Sequence, residues 1–293
     1  MSTISKKIIF PTDFSVFANH AFSTAKMIAK LFNAELFILH AIEAPTGITK
    51  MFSRFDEKEA RKEVDKHLTE FIKRHDDGDV KFNKMVKIGA PYRCISDAAG
   101  EISAFMVVMG THGASGFQEY FVGSNASRVI RDAPCPVMTI RNLPDVEAGF
   151  KKLVLPFDLT PESGEKVNWG IDFAQKFGSQ INLLSVLMTE DMEVKKKLKA
   201  RLDKASAFIQ TAGVKVEASL ITSEKDLPDS VLEYAEQERA DLILIMSQQD
   251  KNLKEQLLGA YAAHIVNKSA IAVLSINPTK EYKSKTFAGS HFS

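Results

Sequence analysis

The chain has 293 residues, 45% of them apolar and 26% charged, with a formal charge of +1. That length favours two hydrophobic cores over one, and the balanced charge supplies no basic field for nucleic acid. Two cysteines, Cys94 and Cys135, exclude a disulfide framework and suit a reducing compartment. No apolar run approaches the roughly 20 residues that span a bilayer. The N-terminus passes straight into "KKIIFPTDFS", which leaves no room for a signal peptide, so the expectation is a soluble, cytoplasmic protein without a membrane or nucleic-acid partner.

The chain is written twice. "KKIIFPTDFS" from Lys6 aligns with "KKLVLPFDLT" from Lys151 at an offset of 145, and the same offset sets 29–42 on 174–187. Later, "AFMVVMG" (104–110) aligns with "ADLILIM" (240–246) at an offset of 136, which holds to the end. A period near 140 is too long for a solenoid and means two homologous domains.

In chain order, short β-branched apolar runs predict a first strand at 6–10 and 151–155. A helix follows over 15–32 and 162–177, with apolar spacing at Ala21, Ala25, Ile28, Ala29 and Phe32. A second strand is expected at 35–41 and 180–186, a charged helix near 54–75 and 191–211, and a third strand at 80–88 and 214–221. Another helix is expected at about 91–102 and 228–238, a fourth strand at 104–109 and 240–246, a last helix at 124–131 and 260–267, and a fifth strand at 136–141 and 271–276. Strands alternating with helices predict an α/β fold: a parallel sheet in each copy with helices on both faces. The domains are placed at 1–142 and 150–277, joined by "NLPDVEAG" (142–149), with 278–293 a loose tail.

"MGTHGASGF" (109–117) spends three glycines immediately after the fourth strand. Ligands of parallel α/β sheets bind beyond the carboxyl ends of the strands. Gly110 and Gly113 allow close approach to the backbone, and Gly123-Ser124 opens the last helix, whose free N–H groups attract an anion. Ser124 can cap that helix or donate to a phosphate oxygen. The spacing Gly110-x2-Gly113-x9-Gly123-Ser124 is neither a Walker A loop nor a GxGxxG fingerprint.

These residues resemble the nucleotide-binding motif of the universal stress protein family. "PTDFS", "LHAIE", "VVMGTHG", "VGSNASRVI" and "APCPVMTIR" match the family's landmarks across 5–141, and the second copy matches in outline. The resemblance implies two tandem doubly wound domains, each a five-stranded parallel sheet ordered 3-2-1-4-5. It also implies ATP, with or without Mg, in the N-terminal domain. By position, Pro11, Thr12 and Asp13 would border adenine and ribose, the backbone of Ala41 would meet the adenine edge, and Met109 and Gly110 would face the ribose. His112, Gly113, Gly123, Ser124 and Asn125 would hold the phosphates. The family's habit of pairing domains through strand 5 implies an intrachain pseudo-dimer, and leaves a homodimer and an unspecified protein partner open.

The second copy departs from the motif. Gly110 becomes Met246, His112 becomes Gln248, Gly113 becomes Gln249, Ser124 becomes Ala260 and Thr12 becomes Phe157, while Gly259 and Asp158 persist. No ATP site is expected there. Several residues also have plainer readings. Asp13 and Asp158 can cap a helix, His112 can be a phosphate neighbour rather than a base, and His40, matched by Ser185, can be packed or hydrogen-bonded. Asp76, Asp77 and Asp79 read as a polar turn rather than a metal site, Cys94 and Cys135 as packed thiols, and Arg128 and Arg131 as surface positions rather than phosphate-steering ones. Neither SGGxDS nor HxGH follows the first strand. A regulatory ATP-binding protein is therefore favoured, with slow hydrolysis and a ligand-free scaffold as the alternatives.

Overall fold

The computed structural model describes residues 5–45, 55–111, 123–141, 149–160, 162–247 and 258–277. The chain divides into two compact units, Met1–Leu143 and Pro144–Ser293.

In the first unit, β1 (Lys6–Pro11), β2 (Ala34–Ile42), β3 (Phe82–Ile88), β4 (Met106–Gly110) and β5 (Val137–Ile140) alternate with α1 (Val16–Phe32), α2 (Glu57–His75), α3 (Pro91–Glu101) and α4 (Ser124–Asp132). The strands are all parallel and ordered β3-β2-β1-β4-β5, as parallel neighbours joined by helical crossovers require. The second unit repeats the plan with β6 (Lys152–Pro156), α5 (Glu162–Phe177), β7 (Gln180–Leu187), α6 (Met192–Thr211), β8 (Lys215–Thr222), α7 (Leu227–Gln237), β9 (Leu242–Met246), α8 (Ala260–Lys268) and β10 (Ala272–Ile276). Its order is β8-β7-β6-β9-β10, again parallel. Both are the 3-2-1-4-5 arrangement.

The central strands carry consecutive buried residues rather than alternating ones. All of β5, β9 and β10, and four of the five residues of β4, are buried. Burial of neighbours on opposite faces means that helices cover both sides of each sheet. The outer strands β3 and β8 carry Lys84, Lys87 and Glu217 among half-exposed positions, the charged edge that discourages further pairing.

Helix ends follow local chemistry. Ser15 accepts from the Ala18 amide at the start of α1, and Asp56 and Asp191 do the same for α2 and α6. The helix after the first strand ends in a left-handed residue in both units, Asn33 at φ 50° and Gly178 at φ 65°, the usual stop for a helix. The expected start of α2 at 54 moves to 57 because Asp56 caps it, and β4 extends one residue further, to Gly110, through its pairing with Ile140.

The first core centres on Phe10, which stands edge-on to Phe22 at 5.3 Å and stacks on Phe71 at 6.4 Å. These rings join α1 and α2 to the sheet. No described helix is long and apolar enough to cross a membrane.

Candidate functional site at the carboxyl ends of the first sheet

The first unit holds a cavity of about 420 Å³ where β1, β2 and β4 end and α4 begins. Its lining includes Pro11, Thr12, Asp13, Ala41, Met109, Gly110, Gly123, Ser124 and Asn125. These are nine of the residues that the sequence singles out, drawn from four separate segments. His112 and Gly113 lie outside the described residues. The segment that carries them leaves from Thr111 and returns at Gly123, whose amide donates to the Thr111 carbonyl at 2.9 Å.

The turn after β1 is built by short-range bonds. The Phe14 amide donates to Thr12 Oγ1 at 2.9 Å and the Ser15 amide to Asp13 Oδ1 at 3.0 Å. Asp13 is therefore not the helix cap: Ser15 is, and Asp13 holds the turn two residues earlier. Phe14 takes φ 61°, a conformation that a large side chain adopts only under external restraint. Its ring stacks on His40 at 4.9 Å and meets His67 and Phe71 edge-on.

His40 is the residue that ties this turn to the sheet. The Thr12 amide donates to the Leu39 carbonyl at 2.8 Å, and His40 Nδ1 lies 2.8 Å from the Thr12 carbonyl. A carbonyl only accepts, so Nδ1 carries the proton. The second unit repeats the clamp at the matching positions: the Phe157 amide donates to Leu184 at 2.6 Å, and Ser185 Oγ to the Phe157 carbonyl at 2.6 Å. The sequence reading left His40 as packed or hydrogen-bonded; it is both, and it also lines the cavity.

The glycines have a specific explanation. Neither Gly110 nor Gly123 has positive φ, and Gly123 sits at φ −52°, ψ 144°, which any residue can adopt. A Cβ at Gly123 would make only an ordinary contact, 3.4 Å from the Thr111 carbonyl oxygen. Among the described residues no steric demand for glycine arises there, which leaves the backbone open to close approach from the cavity side. Helix α4 begins at that point without a side-chain cap, which leaves its first amides for another acceptor.

The sequence missed Ala18, Leu39, Glu43, Pro91, Ile95, Thr111 and Ala126 as lining residues. Their spacing marks core or surface equally well, and only the packing of α3 beside β2 brings Pro91 and Ile95 to the cavity. His40 carries a visible signal, a histidine within "LHAIE" (39–43) near a strand end. The two thiols are free and buried. Burial pushes Cys135 up to about 12 and raises Cys94, with Asp97 adding to the latter, so both read as packing residues. Among the described residues, no group of three or more His, Cys, Asp or Glu could hold a metal.

In the second unit larger side chains stand at the positions matching the cavity lining. Phe157 and Met246, at 3% and 1% exposure, replace Thr12 and Gly110. Tyr261, in place of Asn125, has a solvent-excluded hydroxyl without a hydrogen-bond partner among the described residues. Gln248 and Gln249 lie outside the described residues. Lys166, only 1% exposed, stands where the first unit has Ala21. Its Nζ donates to the Pro156 carbonyl at 2.5 Å, while Arg201 donates to the Leu159 and Thr160 carbonyls. Asp158 accepts from the Thr160 amide and the Thr160 and Ser163 hydroxyls. Two cations thus hold the carbonyls of the turn whose counterpart lines the cavity of the first unit. Burial pulls the Lys166 ammonium below the usual lysine range against the opposing pull of Asp158. Burial pushes the Asp158 carboxyl up, but Lys166 and the two hydroxyls together bring it below its ordinary value.

This pairing has a measurable consequence. Trp169, the single tryptophan, lies on α5 one turn from Lys166 and reports unfolding of this unit alone. Lys166→Met should lower its unfolding free energy by about 2 kcal/mol, because half-buried Asp158 keeps only the field of Arg201 and the Pro156 carbonyl loses its donor. Asp158→Asn combined with Lys166→Met should recover much of that loss. Strictly additive losses in urea titrations would contradict the pairing.

Comparison with known proteins agrees with this geometry. The model of the universal stress protein family matches residues 5–141 and again 149–277. Among curated relatives, a universal stress protein of Methanocaldococcus jannaschii is 32% identical over 146 residues, covering 46% of this chain and 82% of its own. Another, from Thermus aquaticus, is 30% identical over 137 residues, covering 46% and 98%. Each thus corresponds to about half of this chain. A solved universal stress protein from Archaeoglobus fulgidus covers 94% of this chain and 97% of its own with a TM-score of 0.75 at 19% identity, a likeness of fold. The chain belongs to the universal stress protein family and carries two of its domains in tandem.

Proposed function

We propose that the first unit holds ATP and that the protein acts as a nucleotide-dependent regulator in a stress response, without efficient hydrolysis. The observation that carries this reading is the cavity itself. It runs from the end of β2 across β1 to β4, a span of roughly 10 Å at ordinary strand spacing. Leu39, Ile95 and Met109 supply apolar surface for a flat base. Gly110, Thr111, Gly123, Ser124 and Asn125 supply backbone and hydroxyl groups beside a helix N-terminus, which suit phosphate. An elongated ligand with one apolar and one anionic end fits that polarity. Asp13, on the turn between them, is placed to accept from ribose hydroxyls.

A magnesium ion would enter on the phosphates, with water completing its shell. Regulation then rests on a difference in affinity between the protein's states or between ATP and ADP. The second unit, with Phe157, Met246 and Tyr261 at the matching positions, is assigned no nucleotide. We assign the chain to the cytoplasm on its two free thiols. Association through the fifth strands, a homodimer of chains and a protein partner rest on the family resemblance alone. A single species of 32.5 kDa in sedimentation velocity would remove the homodimer.

The nucleotide reading is tested on the intact chain. Heat extraction should release adenine nucleotide detectable by mass spectrometry, and calorimetry of the stripped protein should give one ATP site per chain. Gly123→Val, which puts a branched side chain at the cavity mouth, should weaken ATP at least tenfold with the unfolding midpoint unchanged. No ATP binding at millimolar concentration would refute the reading, and steady phosphate release above the Gly123→Val control would make the protein an enzyme.

A further inference from the structure

Three arginines gather around one tyrosine beside the cavity. Arg131 is neutralised: its Nε and its terminal nitrogen bind the two oxygens of Asp132 at 2.6 and 2.8 Å. That contact, first with Arg131 and then with added fields from Arg128 and Arg93, holds the Asp132 carboxyl below its usual range against the effect of burial. Arg128 and Arg93 are held differently. The Arg128 guanidinium lies 4.7 Å from the centroid of the Tyr92 ring. Arg93 Nε donates to the Tyr92 hydroxyl at 2.9 Å, with its guanidinium carbon 5.7 Å from the ring. Among the described residues, neither makes a salt bridge to a carboxylate.

Stacking on an aromatic face orients a guanidinium without consuming its in-plane donors. Tyr92 therefore holds the Arg128 fork by its face and Arg93 through its Nε–H; among the described residues the N–H groups of Arg128 and the terminal ones of Arg93 remain for an acceptor, and the cluster carries two positive charges beyond what Asp132 neutralises. Its position follows from the helices. Tyr92 is next to Pro91, which lines the cavity at the first turn of α3. Arg128 lies four residues after Ser124 and three after Asn125, on the same side of α4. A helical side chain leans towards the helix N-terminus, so Arg128 is carried back towards the turn that bears those two lining residues.

Resting on the nucleotide reading above, we infer that Arg128 and Arg93 form an outer phosphate subsite that selects nucleoside di- and triphosphates over monophosphates. The α4 N-terminus takes the first phosphate, and the tyrosine-mounted arginines take the ones beyond it by charge-assisted hydrogen bonds. The sequence alone favours a plain surface role for Arg128; what changes that is the ring that orients it and its place one turn after the lining residues Ser124 and Asn125.

The test compares AMP and ATP by calorimetry on the whole chain, for wild type, Arg128→Gln, Arg128→Lys and the double variant Arg93→Gln/Arg128→Gln. The ratio of ATP to AMP affinity should fall about tenfold for the single glutamine variant and further for the double, at the scale of one charge-assisted hydrogen bond each. AMP affinity should be unchanged, and Arg128→Lys should recover only part of the ratio, since an ammonium lacks the stacked fork. A ratio unchanged in the double variant, or equal weakening of AMP and ATP, would overturn the subsite while leaving the nucleotide reading intact. Failure of the wild type to bind either nucleotide would overturn both.

Discussion

The turn that leaves the first strand is tied to the second strand through the same two bonds in both units. A backbone amide donates to the second strand's carbonyl, and a side chain from the next residue of that strand donates back to the turn. Thr12 with Leu39 and His40 makes one pair, Phe157 with Leu184 and Ser185 the other. This clamp fixes where the first crossover begins, and so where the carboxyl ends of β1, β2 and β4 converge. A parallel sheet produces a crevice at that edge; the clamp decides that its floor is rigid. A histidine and a serine perform the task equally, which shows that geometry rather than imidazole chemistry is what the position requires.

Given the same rigid frame, the two units diverge through side-chain volume and buried charge. In the first, bare backbone at Gly110 and Gly123 leaves the hollow open. In the second, Phe157, Met246 and Tyr261 stand at the matching positions, and Lys166 and Arg201 bond the carbonyls of the turn. The cost is a buried lysine and a tyrosine hydroxyl without a partner among the described residues; a buried charge is tolerable only with a counter-charge and good acceptors, and the field of Asp158 and the Pro156 carbonyl supply them.

Much of this was legible in the sequence because the relevant signals are backbone signals. The duplicated "KKIIFPTDFS" and "KKLVLPFDLT", the runs of apolar β-branched residues and the glycine spacing read directly as strands, repeats and an anion-binding turn. Helices on both faces follow from the alternation of strands and helices, and strand order from the resemblance. What was not legible depends on tertiary direction. Ile95 and Pro91 look like any helix residues until α3 is laid beside β2. Asp13 and Asp158 resemble caps because aspartate bonds amides both two and three residues ahead, and only the coordinates show that Ser15 takes the capping role on α1. Lys166 did leave a trace, a lysine at the place of Ala21 on a buried helical stripe, but a lone charge on such a stripe identifies its partner only once the fold is in hand.

The central claim is that the open hollow of the first unit, and not its counterpart in the second, receives the nucleotide. The most direct measurement is the amide spectrum of the intact chain titrated with ATP. Shifts should concentrate at Gly110, Gly123, Ser124 and Asn125 and at Ala41, saturating at one equivalent, while Met246, Gly259, Ala260 and Tyr261 stay in place. Saturable shifts at Met246 and Ala260 with none at Gly110 and Ser124 would contradict the account.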